Sequence, residues 1–476
     1  MKISLLLPLA LVAAPAAAQS VQKRVEAAYA EAPTGTRFGL VVLDEDGKEV
    51  VAVNPDGRFI PASNTKMFTT AAVYAALDGL DQPDSTGGAA VRLEGGDVIL
   101  EGHGDARLSS AAGCTIDCLA TLADAVAAKT RRVRNVIGDD TAFPDQRWSP
   151  GMSWNNIPSR YGTGISALTL DDNEAAIDVK PGAVGAPARV SQPLPYYTIE
   201  NRVMTVAGTE RKLGYDRVPN GRDFRLTGTI GVDARADPLI VGIDDPAHYA
   251  AWRFKTLLEA RGVKVTGSAS ARHRALMLDD DPEQRKGAPA VRPPVQTPLA
   301  KLTPPPLAED VVLTNKVSQN LHAELLMRRV GLRRGTGSIA DGVAEVATML
   351  AAAGVPRTAW DLADGSGMSS YNRVAPRGAA KMLRWIAGQP WGAAWRASLP
   401  IGGVDGTLSR RFKGTLLEGK IFAKTGTLNA TNALSGYLIA KSGKTLTFST
   451  FANDVPGDAS ATRFLDAALV AVAEAN

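Results

Sequence analysis

Ser63 and Lys66 stand three residues apart in Pro61-Ala62-Ser63-Asn64-Thr65-Lys66-Met67-Phe68-Thr69-Thr70, which runs on into Ala71-Ala72-Val73-Tyr74-Ala75-Ala76-Leu77. The run is apolar and small, as at the start of a buried helix. Residues i and i+3 share a helix face, with Cβ atoms roughly 5–6 Å apart. A hydroxyl and an amine would thus lie within reach of each other at the dipole-positive end of that helix. Together they make a nucleophile with its own base, the serine–lysine form of covalent catalysis. S-x-x-K alone is weak evidence, because a chain of this length yields about one match by chance. A second match, Ser20-Val21-Gln22-Lys23, lacks a following apolar helix and is set aside.

A serine nucleophile that attacks an acyl group needs a means of holding its substrate, an oxyanion hole and a proton route to the leaving group. Phe422-Ala423-Lys424-Thr425-Gly426-Thr427 reads as a strand carrying K-T-G. Lys424 can hold a carboxylate through charge-assisted bonds, and Thr425 can add a hydroxyl. Gly426 leaves room for a substrate backbone along the strand. The N–H of Thr427 can complete an oxyanion hole with that of Ser63. Three S-x-N triplets compete for the remaining role: Ser153-Trp154-Asn155, Ser318-Gln319-Asn320 and Ser370-Tyr371-Asn372. Ser318 stands at a helix–loop junction and is preferred, its hydroxyl to pass a proton and Asn320 to hold the substrate backbone.

The elements that must position these groups can be read from patterning. Residues 36–53 predict a β-hairpin across Asp44-Glu45-Asp46-Gly47. Strands are predicted over 420–427, 433–440 and 445–451, and helices over 307–330, 339–353 and 459–475. Between these ends the texture changes to short strands, glycines and isolated helices, including one capped by Asp245-Pro246. A Pro-rich stretch from Arg292 to Pro306 marks a boundary. The expected fold class is α/β (α+β), one sheet built from both ends of the chain with helices packed on it. The expected organisation is a leader over 1–18, a principal domain formed by 19–87 and 292–476, and an inserted, strand-rich region over 88–291. Asp364-Gly365-Ser366-Gly367 and Asp405-Gly406-Thr407 read equally well as plain turns.

Length and composition agree with this plan. At 476 residues, 45% hydrophobic and 21% charged, the chain has the balance of a globular protein of more than one domain. A net charge of +4 with no dense basic run argues against nucleic-acid binding. Lys2, the apolar run Ile3–Val12 and Ala16-Ala17-Ala18 form an export leader, with cleavage expected before Gln19 and a periplasmic destination. No later window is apolar enough to predict a transmembrane span. Cys114 and Cys118 can form a tight disulfide or remain as two thiols. His103, His248, His273 and His322 do not cluster with the cysteines, so neither metal nor other cofactor is expected.

The order S-x-x-K, S-x-N, K-T-G is the motif set of penicillin-recognising serine enzymes. The chain resembles the class C low-molecular-mass penicillin-binding proteins, the D-Ala-D-Ala carboxypeptidase/endopeptidases. The likeness extends to Gly102-His103-Gly104-Asp105, Ser166-Ala167-Leu168, Asp364-Gly365-Ser366-Gly367-Met368-Ser369 and Asp405-Gly406-Thr407-Leu408. It implies a penicillin-recognising, transpeptidase-like domain with an antiparallel sheet, interrupted by a large inserted region. It also implies acylation of Ser63 by a peptidoglycan peptide, with a neutral Lys66 as base and its basicity lowered by burial, the helix terminus and Lys424. Ser318 and Asn320 would serve proton transfer and substrate positioning, and Lys424, Thr425 and Gly426 would bind the terminal carboxylate. β-Lactams would acylate the same serine and leave slowly. A side-chain pocket is implied near Trp154 and Tyr161, where Asn155 and Asn156 occupy positions expected to be acidic. Two other readings share part of this evidence: a serine β-lactamase, whose chains are shorter, and a silent cell-wall binding protein, against which the intact motifs argue.

Overall fold

The computed structural model describes residues 14–457 and 459–476. The expected leader falls, through residue 13, outside the described residues. The chain opens with α1 (Ala14–Ala30), followed by the hairpin strands β1 (Arg37–Leu43) and β2 (Glu49–Val53), and then α2 (Thr65–Ala76). After a long excursion it returns as α3 (Leu307–Lys316), α4 (Asn320–Gly331) and α5 (Ile339–Ala352). It closes with β3 (Ile421–Leu428), β4 (Thr431–Ile439), β5 (Thr445–Asn453) and α6 (Thr462–Ala475). The strands form one five-stranded antiparallel sheet in the order β3-β4-β5-β1-β2, so both ends of the chain build it.

Both faces of this sheet are covered, so nearly all residues of β1, β4 and β5 are buried on both sides, Thr and Ser of β4 and β5 among them. Leu40, Val42, Leu434, Leu438 and Phe448 pack against α1 and α6 on one side. Val41 and Leu43 turn the other way, onto Ala380 of the helix Pro376–Ala387. On that side Phe451, Ala433 and Tyr437 join Met67, Phe68 and Ala71 of α2 in a second core. Helix α1 was not predicted; Val21, Val25 and Tyr29 give it a buried stripe at four-residue spacing. Lys23, from the rejected Ser20–Lys23 match, points to solvent from this helix.

Two differences from the sequence expectation bear on the site. First, the stretch 307–330 is two helices, interrupted at Val317–Gln319. Ser318 takes a left-handed backbone (φ 65°) and the Gln319 side chain caps α4 by accepting the Leu321 N–H at 2.9 Å. Second, the inserted region's sheet runs past residue 291, the expected boundary. Ala300–Lys301 pairs with Val91 and Ala90 at its edge. Backbone pairing needs no apolar pattern, so two residues of a Pro-rich segment join a sheet without a sequence signal.

The inserted region holds a mixed five-stranded sheet from 90–94, 97–101, 136–139, 269–272 and 300–301, with the helix Pro246–Glu259 packed on it. A smaller four-stranded sheet (198–201, 204–206, 211–217, 223–231) and a three-stranded one (174–180, 189–191, 239–242) share the same core. Cys114 and Cys118 are disulfide-bonded. Arg217 and Asp244 form an ion pair at 2.6 Å, their side chains 1% and 3% exposed. Replacing Arg217 by Met should destabilise the chain by roughly 3–5 kcal/mol, because it strands a buried carboxylate. Thermal and denaturant unfolding of the full chain would register the change.

Candidate active site

Where the sheet edge, the α2 terminus and the α3–α4 break meet, they enclose a cleft of about 900 Å³ lined by Ser63, Ser318, Asn320, Thr425 and Thr427. Ser63 sits in a single 3₁₀ turn, Ala62–Asn64, that winds directly into α2. Ala62, just before it, is held at a left-handed φ of 48°, a strained backbone of the kind found at functional sites. The Lys66 amine, wholly buried, donates to Ser63 Oγ at 3.0 Å, Asn320 Oδ1 at 2.7 Å and the Ser366 carbonyl at 2.6 Å. Burial lowers its pKa from 10.5 to about 7, against the opposing pull of the Asp364 and Glu324 carboxylates. Near pH 7 about half of the amines are neutral, and in that form Nζ keeps two donated bonds and turns its lone pair to the Ser63 hydroxyl, the arrangement a base requires.

Lys424 is equally buried and donates to Ser318 Oγ at 2.9 Å and to the Thr425 carbonyl at 3.0 Å. Burial, and after it the charge of Lys66, push its pKa well below the ordinary lysine range. Burial is the largest cause at both amines, and the repulsion between them, which is mutual, further disfavours both being charged at once. An anion entering beside Lys424 would favour its charged form.

β3 is an edge strand. The Ala423 N–H bonds outward to the Pro400 carbonyl at 3.0 Å, and Gly402 N–H bonds the outward Ile421 carbonyl at 2.9 Å. By the two-residue period of a strand, the Thr425 and Thr427 N–H groups also face this free edge. The Thr427 N–H thus lies on the cleft side, where an oxyanion hole with Ser63 requires it. Thr425 Oγ1 donates to Thr407 Oγ1 at 2.7 Å, and Asn64 Nδ2 donates to the Lys424 carbonyl at 2.8 Å, which ties the Ser63 turn to the strand. Gly426 has a different reason from the one expected. A Cβ there would lie 2.6 Å from the Pro61 carbonyl oxygen and 3.2 Å from the Asn64 nitrogen. The glycine admits the Ser63 turn to the strand.

The side-chain pocket is brought together only in part. Tyr161 lines the cleft and its carbonyl accepts from Asn320 Nδ2 at 2.9 Å. Trp154 does not line it; its side chain is turned to solvent, 73% exposed, while Ser153, Asn155 and Asn156 face in. The other S-x-N triplets serve otherwise. Ser370 lines the rim, and Asn372 is buried, bonding Asp364 at 2.6 Å and the Ala363 N–H at 2.7 Å.

Sequence reasoning missed Thr407, Asp364, Ser366 and Glu324, although the first three lie in motifs quoted above. Turn composition concealed them. Glu324 had only its position, one helical turn beyond Asn320, as a signal. None of the four histidines hydrogen-bonds Ser63; they engage Gly88, Tyr196, Asp140 and Asp172. Among the described residues no group of three His, Cys, Asp or Glu side chains could hold a metal ion. Nor, among them, is any helix long and apolar enough to cross a membrane.

The family model for the D-Ala-D-Ala carboxypeptidase 3 (S13) family matches residues 21–476. The chain belongs to that family. It is 33% identical to the D-alanyl-D-alanine carboxypeptidase of Actinomadura sp. (strain R39), over 89% of this chain and 79% of that one. The crystal structure of penicillin-binding protein 4 from Haemophilus influenzae superposes with a TM-score of 0.76 at 20% identity, covering 93% of this chain and 97% of the other. The same protein complexed with a β-lactam gives 0.73 at 20% identity, over 94% and 97%. Membership of the S13 family makes the chain a serine-type peptidase, and the fold is that of penicillin-binding protein 4: a penicillin-recognising domain with an inserted region.

Proposed function

We propose that this chain cleaves the D-Ala-D-Ala bond of peptidoglycan peptides through an acyl-enzyme on Ser63, as a carboxypeptidase, an endopeptidase or both, and that penicillins acylate the same serine. The observation that carries the reading is the Lys66 amine, buried, 3.0 Å from Ser63 Oγ, with a pKa near 7. Substrate binding begins with the terminal carboxylate at Lys424 and the Thr425 and Thr407 hydroxyls. Asn320 holds the peptide backbone beside Tyr161. Ser63 Oγ then attacks the penultimate carbonyl as its proton passes to Lys66, and the N–H groups of Ser63 and Thr427 receive the developing oxyanion. Collapse breaks the C–N bond, and the departing amine takes up a proton through Ser318 or Lys66. Water releases the acyl group by the reverse use of the same base. Sequence positions 1–18 support export, and the substrate's location supports a periplasmic site of action.

Incubation of the leaderless chain with a fluorescent penicillin, followed by mass spectrometry over time, tests the reading. A long-lived adduct on the unsubstituted chain, absent in Ser63→Ala, is expected, together with D-Ala release from a pentapeptide. Rapid turnover of the penicillin would instead mark a β-lactamase, and no adduct would remove the acyl-enzyme altogether.

A further inference from the structure

The loop Asp364-Gly365-Ser366-Gly367-Met368-Ser369 grips both reactive residues from behind. Its Ser366 carbonyl accepts the Lys66 amine at 2.6 Å, and its Gly365 carbonyl accepts the Thr69 hydroxyl one turn along α2 at 2.7 Å. Gly367, at a φ of +87°, packs so tightly that a Cβ would collide with the carbonyl of Ala62. The loop has no regular secondary structure of its own, so something must hold it.

That support comes from α4. Glu324 Oε1 accepts the N–H groups of Gly365 at 3.0 Å and Ser366 at 2.8 Å. Asp364 closes the loop internally, accepting from Gly367 N–H at 2.9 Å and Ser369 N–H at 2.6 Å. Glu324 is only 5% exposed, a costly place for a carboxylate unless its charge is used. Asn320, Glu324 and Arg328 recur at four-residue spacing on α4, the first bonded to Lys66 and the last to Gln146. The titratable groups facing this interior are Lys66 from α2, Lys424 from β3, Asp364 from the loop, and Glu324 and Arg328 from α4. Burial and then the Asp364 charge raise the Glu324 carboxyl above its ordinary range, while the Ser366 and Gly365 bonds and Arg328 pull it back.

We propose that Glu324 is a positioning residue for the reaction: it fixes the Ser366 carbonyl against Lys66 and supplies the negative charge that steadies the ammonium formed when Ser63 loses its proton. The inference rests on Lys66 being the base. Glu324 touches neither Ser63 nor the cleft; it acts through the loop and through its field. With that field removed, Lys66 stays neutral to lower pH but is a weaker base.

The test is the rate of Ser63 acylation by a fluorescent penicillin across about pH 5–9, for the unsubstituted chain, Glu324→Gln and Glu324→Asp. Gln keeps an acceptor for the two N–H groups but loses the charge. Its acid limb should move down by about one pH unit and its plateau fall ~10-fold. Asp keeps the charge, so its limb should hold the original midpoint while only its plateau falls. A folded Glu324→Gln with unchanged limb and plateau would overturn the proposal. If Gln does not fold, a displaced limb in Glu324→Asp overturns it and an undisplaced one supports it. Absence of an adduct on the unsubstituted chain would strike the Lys66 reading itself, a result distinct from either.

Discussion

Replacing Lys66 by Met is expected to slow acylation of Ser63 by a factor of about 10²–10⁴, the usual worth of a positioned general base. Met keeps the length and volume of the buried side chain, so α2 and its core contacts persist. What disappears is the acceptor for the Ser63 proton. In the unsubstituted chain the acylation rate should climb as pH rises through about 7, because burial brings the Lys66 amine from 10.5 to that value. The variant should lack this limb. Stopped-flow acylation across pH, read by fluorescent penicillin, distinguishes the two. The same substitution alters stability in a defined direction. A lysine whose folded pKa is about 7 against 10.5 unfolded binds fewer protons when folded, so stability rises with pH between those values. As pH falls from 10.5 to 7, burial of this amine costs up to about 4 kcal/mol, a pH dependence that the Met variant should lose. An unaltered slope of unfolding free energy against pH would contradict a buried, neutral Lys66.

Lys424→Met is expected to lower acylation efficiency toward carboxylate-bearing penicillins by about 10²–10³-fold, the scale of losing one charge-assisted bond in a desolvated site. Lys424 is completely buried directly behind the cleft wall, bonded at 2.9 Å to Ser318 Oγ, which lines the cleft. A carboxylate arriving there meets a donor already fixed in place and favours the charged form of its amine. The control is chemical. For a penicillin whose carboxylate is esterified, Lys424→Met should change the rate by no more than a few-fold, since no charge remains to be paired. Equal losses for acid and ester would mean that Lys424 acts through Ser318 and not on the carboxylate.

The candidate site was legible in the sequence because it depends on residue types at fixed short spacings. Ser63 with Lys66 needs one helical turn, Ser318 with Asn320 a helix start, and Lys424-Thr425-Gly426 a strand. The sheet was legible too, since β1 and β3–β5 are short stretches rich in apolar and β-branched residues, separated by turn residues. Less regular parts were not. Helix α1 owes its place to α6, whose partner positions lie at the far end of the chain. The break at Ser318 needs a left-handed residue that is not glycine, which composition does not mark. Ala300–Lys301 joins a sheet by backbone bonds alone.

Local sequence determined which groups could react: a serine hydroxyl, two lysine amines and a second serine in three short motifs. Tertiary structure decided their states and their company. Burial, which is a property of the packed interior and not of any short motif, brings the Lys66 amine to a pKa of about 7. Packing also gave Gly426 its purpose, turned Trp154 away from the cleft that Tyr161 lines, and set Glu324 behind the loop that holds Lys66. Each of these depends on which distant segments meet, and spacing along the chain carries no record of that.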